Sequence, residues 1–427
     1  MKRIIAAAVL LSAMTASWSQ PIVTLWQCYD SAAVKTPLSG ERELYRQMTM
    51  LRDQNLATVW MPALDLGGTF AWQSDVVDMS DLLSSLPVPP GSLPSIPHEQ
   101  YRATLDVSQV IWDGGVTRSA RAVEKVVTEL NMQQNEADIY RLREQVNNYF
   151  FPLLFAGSQV EVTQLLVADL DARIREASSG VENGVVPPVT LDVLRAEKIR
   201  AEQVLSELNR RSASLIAALE EITGIEGLGN AELLLPEPVI TGDEAIDNPE
   251  LRLFDLRQRQ LEVSKELLKS QRMPKAFGFA QAGYGSPPGN NFLSENPDFY
   301  YSLGAGIKWN IFDWNKNSNE RKSLAIQQQL LGLRKSAVEE SLQRMLTVRL
   351  AEINALREAA ARDDELIEIR KKISGVAASQ LKNGTITASQ YLTELNSEKQ
   401  AEIAAAARKI SISRAEVDYI YITGYNK

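Results

Sequence analysis

Side chains that commonly carry catalysis or hold metals are scarce in this chain. The 427 residues include one histidine, His98, and one cysteine, Cys28. A single cysteine cannot form a disulfide within the chain, and neither residue type is abundant enough for a usual zinc site. His98 lies in a proline-rich stretch without a serine or aspartate motif, so we interpret it as an exposed loop residue. We expect no catalytic residues, no metal and no cofactor.

Charged side chains are numerous but do not form a recognisable site. The chain has 54 Asp and Glu against 45 Lys and Arg, a formal net charge of -9. Their scatter is typical of solvated helix faces and i,i+4 pairs. The negative balance argues against nucleic acid as a partner, because phosphate binding needs a basic face. The glycines at 67–68 and 304–306 are not phosphate loops, and we expect them to allow close strand packing. We predict that the chain is not an enzyme.

The N-terminal residues have the order of a secretory signal peptide. Two basic residues precede the apolar run 4–11, and small residues follow, up to Ser19. We predict a signal peptide at residues 1–19, because the apolar run is too short to cross a bilayer. Cys28 lacks the small residue expected just before a lipidated cysteine, so we interpret it as a plain thiol. No later stretch reaches eighteen apolar residues, and we expect no membrane-spanning helix.

Segments about 200 residues apart in the chain resemble each other. Tyr101–Asp113 aligns with Tyr301–Asp313 at an offset of 200, and Asn183–Gly184 matches Asn383–Gly384 at the same offset. These ordered matches indicate a tandem duplication of a unit too long for a solenoid repeat. The predicted organisation is a first repeat at 20–223, a connector at 224–247 and a second repeat at 248–427.

Each repeat contains two segments in which apolar and polar residues alternate. In the first segment, Leu64, Leu66 and Phe70 alternate with Asp65 and Thr69. A length of about ten residues with aromatic ends is typical of outer-membrane strands. A half-buried soluble sheet permits the same alternation, so the pattern leaves both interpretations open. The predicted strands are 63–73, 101–112, 275–285 and 300–310.

A very long helical pattern, a glycine-containing reversal and a shorter helix follow each pair of strands. The long segments, 116–178 and 316–382, are rich in good helix formers and contain no proline except Pro152. A helix of about 65 residues is about 100 Å long and must pack laterally against neighbours. The predicted fold class is α+β and mainly α, with four candidate transmembrane strands and two long coiled-coil hairpins.

Four strands are too few to close a transmembrane barrel, which needs at least eight. An open sheet edge is not tolerated in hydrocarbon, so membrane strands require the chain to oligomerise. Two copies would supply about eight strands and three would supply about twelve. The repeat itself favours neither number.

The repeated motifs resemble those of the TolC-like outer-membrane efflux proteins. They are Asn248-Pro-Glu-Leu251, the Met-Pro pairs at 61–62 and 273–274, and the strand-to-helix junctions Ile111-Trp-Asp-Gly-Gly115 and Ile311-Phe-Asp-Trp314. The resemblance implies a homotrimer whose β-barrel, in the outer membrane of a Gram-negative bacterium, joins a periplasmic α-helical barrel. It implies contact with outer-membrane lipid, a periplasmic adaptor (membrane fusion) protein and an inner-membrane transporter. The implied function is passive export in a tripartite efflux or type I secretion system.

The resemblance also implies that the two glycine-containing reversals form a periplasmic tip that binds the adaptor. Asn-Gly tolerates the positive φ of a tight reversal, so a purely structural turn explains these residues equally well. Because Pro187–Pro188 follows the first reversal, we expect it to be two residues longer than the second. Family members often carry gating carboxylates after the second reversal, where this chain has Gln390 and Thr393. The implied tip residues are Asn183, Gly184, Val185, Val186, Asn383, Gly384, Thr385 and Ile386, and the candidate gate residues are Asp192, Gln390, Thr393 and Glu394.

Two other functions compete with an export channel. A periplasmic coiled-coil scaffold or adaptor without a transmembrane barrel would share the long helices but not the four amphipathic strands. An exported hydrolase would need a clustered nucleophile or acid–base constellation, for which the sequence offers no motif.

Overall fold

The computed structural model describes residues 21–76, 96–240, 242, 245–291, 294 and 296–424. The predicted signal peptide and most of the proline-rich segment around residues 77–95 lie outside these residues. The chain divides into two compact units, which we call the sheet unit and the helical unit. The sheet unit is Arg42–Met132 with Leu253–Lys335, and the helical unit is Met1–Glu41 with Gln133–Arg252 and Ser336–Lys427.

The described residues form six strands and eight α-helices. The strands are β1 (Ile22–Val23), β2 (Ala63–Trp72), β3 (Glu99–Trp112), β4 (Glu232–Leu233), β5 (Lys275–Ser286) and β6 (Asp298–Lys308). The helices are α1 (Leu25–Lys35), α2 (Glu41–Ala57), α3 (Val116–Glu182), α4 (Pro188–Thr223), α5 (Pro249–Ser270), α6 (Lys316–Ala360), α7 (Asp363–Lys382) and α8 (Ala388–Thr423).

The sheet unit contains one antiparallel sheet with the strand order β2-β3-β5-β6. Strand β3 begins two residues before the predicted start and has a bulge between Val110 and Trp112. Strand β6 ends at Lys308, so that Trp309, which was predicted to lie in it, follows the strand. Among the described residues, β2 and β6 each have one edge without a partner strand. The sheet is therefore open on both sides.

The register of the sheet separates polar from apolar side chains. Asp65 lies opposite Asp106, Asp106 opposite Gln281, and Gln281 opposite Ser302, so these side chains share a face that we call the polar face. On it, Thr104 Oγ1 donates a hydrogen bond to Asp106 Oδ2 at 2.8 Å, and Gln281 Nε2 donates one to Asp106 Oδ1 at 2.6 Å. The first bond lies within β3, and the second joins the polar groups of β5 and β3. Further members of the polar face are Thr69, Arg102, Ser108, Lys275 and Lys308.

The opposite face, which we call the apolar face, is strongly exposed. Leu66 is 84% exposed, Tyr301 82% and Leu303 77%. A contiguous apolar patch of this kind requires cover from lipid or from another protein. The other large members of the apolar face are Leu64, Phe70, Trp72, Tyr101, Leu105, Phe299 and Ile307.

Two phenylalanines lie among the side chains of the polar face. Phe277 is paired with Gly306 and Phe279 with Gly304 across β5 and β6. A Cβ atom added at Gly306 would lie 2.7 Å from Phe277 Cζ, and one added at Gly304 would overlap the Phe279 ring. The glycines therefore provide the space in which the two rings cover the neighbouring strand. The close packing expected for Gly304 and Gly306 is packing between a ring and a backbone.

We expect Gly304→Val to lower the free energy of unfolding by about 1–3 kcal/mol, because it forces the Phe279 ring out of its place. The measurement is the thermal midpoint at which the purified protein unfolds. Ala305→Val is the matched control, because Ala305 is exposed on the opposite face. Adding Phe279→Ala to Gly304→Val should recover part of the loss. Equal effects of the two valine substitutions would contradict this packing.

The predicted long helix 316–382 is wrong as a single element. It consists of α6 and α7, separated at Ala361–Arg362. Helix α7 begins with Asp363, Asp364 and Glu365, and acidic residues are favoured in the first turn of a helix. Asp363 also pairs with Arg408 of α8 at 3.2 Å. The charge run and this ion pair account for a new helix start in a stretch without glycine or proline.

One core of the helical unit contains α1, α3 and α4. Cys28 is fully buried there, with Phe150 and Phe151 of α3 and Leu219 of α4. Burial raises the pKa of the Cys28 thiol to about 12, in agreement with an unreactive thiol. Helix α3 is, by length and composition alone, apolar enough to cross a membrane, contrary to the expectation from the sequence. Val146, Phe150 and Phe151 belong to this core, so packing within the unit accounts for part of that apolar character.

Candidate functional site

The two helical hairpins end in turns of the same length and hydrogen bonding. The first turn is 183–187, between α3 and α4, and the second is 383–387, between α7 and α8. Asn183 N and Asn383 N each donate to the serine carbonyl four residues earlier at 3.1 Å. Gly184 has φ +73° and Gly384 has φ +69°, the left-handed conformation that glycine adopts easily.

The expectation that the first turn is two residues longer than the second is wrong. Pro188 occupies the first turn of α4, where its missing N–H costs no intrahelical hydrogen bond. The proline therefore begins the helix and does not lengthen the turn. Five residues separate the helices in both hairpins.

Residues of both turns line one groove of about 510 Å³ in the helical unit. Val185 and Val186 come from the first turn, and Asn383 and Gly384 come from the second. Val186 packs against Gly180, where an added Cβ would lie 2.5 Å from Val186 Cγ2. Gly180 was not predictable from local pattern, because only the folded turn brings Val186 back onto α3. Four of the eight predicted tip residues therefore line the same groove.

A second cavity, of about 500 Å³, lies between α7 and α8. It is lined by Ile386 of the second turn and by two of the candidate gate residues, Gln390 and Glu394. Its other walls include the exposed apolar side chains Ile373 and Val376 of α7. Thr385 lines neither cavity, and its hydroxyl donates to the Gln380 carbonyl at 3.0 Å.

The candidate gate residues differ in their surroundings. Gln390 belongs to a capping box at the N-terminus of α8. Its side chain accepts a hydrogen bond from Thr387 N at 2.9 Å, and Thr387 Oγ1 accepts one from Gln390 N. Thr393 Oγ1 donates to the Ser389 carbonyl at 3.0 Å. Glu394 pairs with Arg370 at 3.5 Å, and Asp192 is exposed on α4 and lines neither cavity. The four residues are therefore not one cluster.

A buried charge cluster that sequence reasoning missed lies further along the same helices. Glu398 and Lys399 of α8 are 7% and 8% exposed. Lys399 Nζ lies 3.1 Å from Glu398 Oε1 and 3.8 Å from Asp169 Oδ2 of α3, and the Ser374 hydroxyl of α7 donates to Glu398 Oε2. Burial alone would lower the pKa of Lys399, but the hydrogen bond to Glu398 and the nearby carboxylates raise it. The cluster links α8 to the other hairpin through α3.

We expect Gly384→Val to destabilise the second turn by about 1–2 kcal/mol, because valine is strained at positive φ. Nothing lies within 4 Å of a Cβ added there, so the cost is backbone strain alone. The measurement is the rate of proteolytic cleavage within residues 383–387, which should be faster in Gly384→Val than in the native protein. Gly375→Val is the matched control, since Gly375 lies in open space on the same hairpin without positive φ. Cleavage of the two variants at the same rate would contradict the role of φ.

Comparison with known proteins identifies the fold of the chain and the family of one segment. The family described as outer membrane efflux protein matches residues 55–225. Residues 55–225 belong to the outer membrane efflux protein family. The predicted resemblance to that family is thus confirmed, and the match spans β2, β3, α3 and α4. No curated protein sequence matches the chain significantly.

Several solved structures share the fold of this protein along nearly the whole chain. The outer membrane protein VceC of Vibrio cholerae has a TM-score of 0.66 at 13% identity, over 94% of this chain and 96% of VceC. CusC has a TM-score of 0.68 at 12% identity, over 97% of this chain and 95% of CusC. The open state of the MtrE outer membrane channel of Neisseria gonorrhoeae has a TM-score of 0.65 at 16% identity, over 94% of this chain and 88% of MtrE. At such low identities, the comparison establishes the fold class predicted from the sequence.

Proposed function

We propose that this protein is the outer-membrane channel of a tripartite efflux or type I secretion system, which conducts substrates passively to the exterior. The observation that carries the proposal is the sheet, with an exposed apolar face suited to lipid and a polar face suited to water. Its two open edges need neighbouring strands, because unpaired edges are not tolerated in hydrocarbon. The channel is a homotrimer with a barrel of about twelve strands, as the family resemblance implies.

The two hairpin turns are the proposed docking surface for a periplasmic adaptor that leads to an inner-membrane transporter. The groove shared by the turns supports this role, because Val185 is 77% exposed beside Asn383 and Gly384.

The corresponding elements of the two halves support the tandem duplication. Strands β2 and β3 lead into α3 and α4 as β5 and β6 lead into α6, α7 and α8.

The competing function, a periplasmic scaffold without a barrel, is not favoured. Such a protein would keep the apolar face of the sheet in water, where Leu66, Tyr301 and Leu303 are almost fully exposed. The membrane channel covers the same side chains with lipid.

Cell fractionation tests the proposed location. We expect the chain in the outer-membrane fraction, as an oligomer that dissociates only on heating in detergent. Release of the chain by osmotic shock would overturn the proposal.

A photo-crosslinking amino acid at Val185 tests the docking surface, with Val204, an exposed residue of α4, as the control position. Crosslinking to the adaptor from both positions or from neither would contradict docking at the turns.

A further inference from the structure

Two lysines lie opposite each other where β5 begins and β6 ends. Lys275 pairs with Lys308 in the register, both are exposed, and both belong to the polar face. Like charges directly opposite each other on adjacent strands are destabilising. Neither Nζ has an ion pair or hydrogen bond with a described residue. The fold thus maintains two paired lysines whose ammonium groups form no ion pair with a described residue.

A cavity of about 400 Å³ lies beside the two lysines, within the sheet unit. Both lysines line it, and its walls include Leu56 of α2, Val59 just after that helix, Val110 of β3 and Phe277 of β5. Apolar walls with a few placed polar groups are the usual composition of sites for small organic molecules. The cavity therefore combines a surface for an apolar group with two cations.

One carboxylate, that of Asp113, also lines the cavity, but its oxygens already accept hydrogen bonds from backbone N–H groups at the start of helix α3. Asp113 is buried and accepts hydrogen bonds from Gly115 N at 2.8 Å and from Thr117 N at 2.6 Å. Such bonds at a helix N-terminus stabilise the ionised carboxylate. The two lysines are consequently the charged groups that remain for a ligand, and they select negative charge.

We propose that this cavity binds amphipathic organic anions, with the anionic group between Lys275 and Lys308 and the apolar part against Phe277. The inference rests on the proposed function, because in a closed barrel the polar face lines the conduit. The site would hold such anions briefly as they pass from the helical tunnel into the barrel. Charge and an apolar body are both required, so inorganic anions and neutral aromatics should bind poorly.

Isothermal titration calorimetry on the purified oligomer in a non-ionic detergent tests the site, with 1-naphthalenesulfonate as the probe and protein-free micelles as the blank. We expect saturable binding that the double variant Lys275→Gln with Lys308→Gln weakens at least tenfold. Lys316→Gln is the matched control, since Lys316 is exposed and does not line the cavity, and it should bind like the native protein. Sulfate and 1-naphthol should each bind at least tenfold more weakly than the probe.

Three results would overturn the inference: no saturable binding, a change of threefold or less in the double variant, or sulfate binding as tightly as the probe. Thermal unfolding of the same variants shows whether they are folded, and removal of the like-charge pair should not destabilise them. The failure of this inference is distinguishable from that of the proposed function. An outer-membrane oligomer that does not bind the probe refutes only the site, whereas a chain released by osmotic shock refutes the channel.

Discussion

Replacement of Leu303 by arginine should impair assembly in the outer membrane more than any other single change on the sheet. Leu303 is central in β6 and 77% exposed on the apolar face. An arginine that faces lipid near the bilayer midplane costs about 2–4 kcal/mol in transmembrane barrels. The measurement is the amount of heat-modifiable oligomer in the outer-membrane fraction.

Ser302→Arg provides the matched control for this prediction. Ser302 precedes Leu303 in the same strand, is also exposed, and lies on the polar face opposite Gln281. An arginine there extends into water and should leave assembly close to that of the native protein. If both variants assemble equally well, the apolar face does not contact lipid.

Replacement of Lys399 by methionine should be the most destabilising change in the helical unit. It leaves Glu398 buried with the Ser374 hydroxyl as its one hydrogen-bond partner among the described residues, and loss of one member of a buried ion pair costs about 3–5 kcal/mol. The measurement is the denaturant concentration at which the helical signal is half lost. The double variant with Glu398→Gln should recover much of the loss, because neither substituted position then carries a buried charge.

Lys198→Met is the matched control for the buried pair. Lys198 of α4 pairs with Asp171 of α3 at 2.6 Å, but its side chain is 28% exposed and that of Asp171 39%. Exposed pairs of this kind contribute about 0–1 kcal/mol. Equal losses for Lys198→Met and Lys399→Met would show that burial does not determine the cost.

The features that follow from local pattern were predictable from the sequence. Alternation of apolar and polar residues located the four strands of the sheet and separated Leu64 and Leu66 from Asp65. The Asn-Gly pairs located both turns, since positive φ at Gly184 and Gly384 is a local requirement. These signals need no knowledge of the partner strand or helix.

Features that depend on partners distant in the chain were not predictable. Only the register of β5 with β6 shows that Phe277 and Phe279 lie on the polar face, over Gly306 and Gly304. The cluster around Lys399 combines three helices, and in the sequence its charges resemble those of any solvated helix face.

Two errors at the helix ends came from local signals with more than one meaning. In the sequence, Pro187–Pro188 predicts a longer turn, although proline also suits the first turn of a helix. The break at Ala361–Arg362 lacks the glycine or proline that normally marks one, so the sequence predicted a continuous helix. Gln390 likewise serves as a capping residue of α8, a role that its sequence position did not distinguish from a place in a gate.

Disulfide crosslinking between the open edges of the sheet tests the central claim, a ring closed by three chains. Strand β6 of one chain should pair with β2 of the next, so Ser302→Cys is combined with Asp65→Cys, Gly67→Cys or Thr69→Cys, all on the polar face. The native Cys28 is buried, and the unsubstituted protein is the background control. We predict that at least one pair gives a ladder of crosslinked species that stops at three chains. A ladder that stops at two or continues past three, or chains that stay monomeric in every pair, would contradict the account.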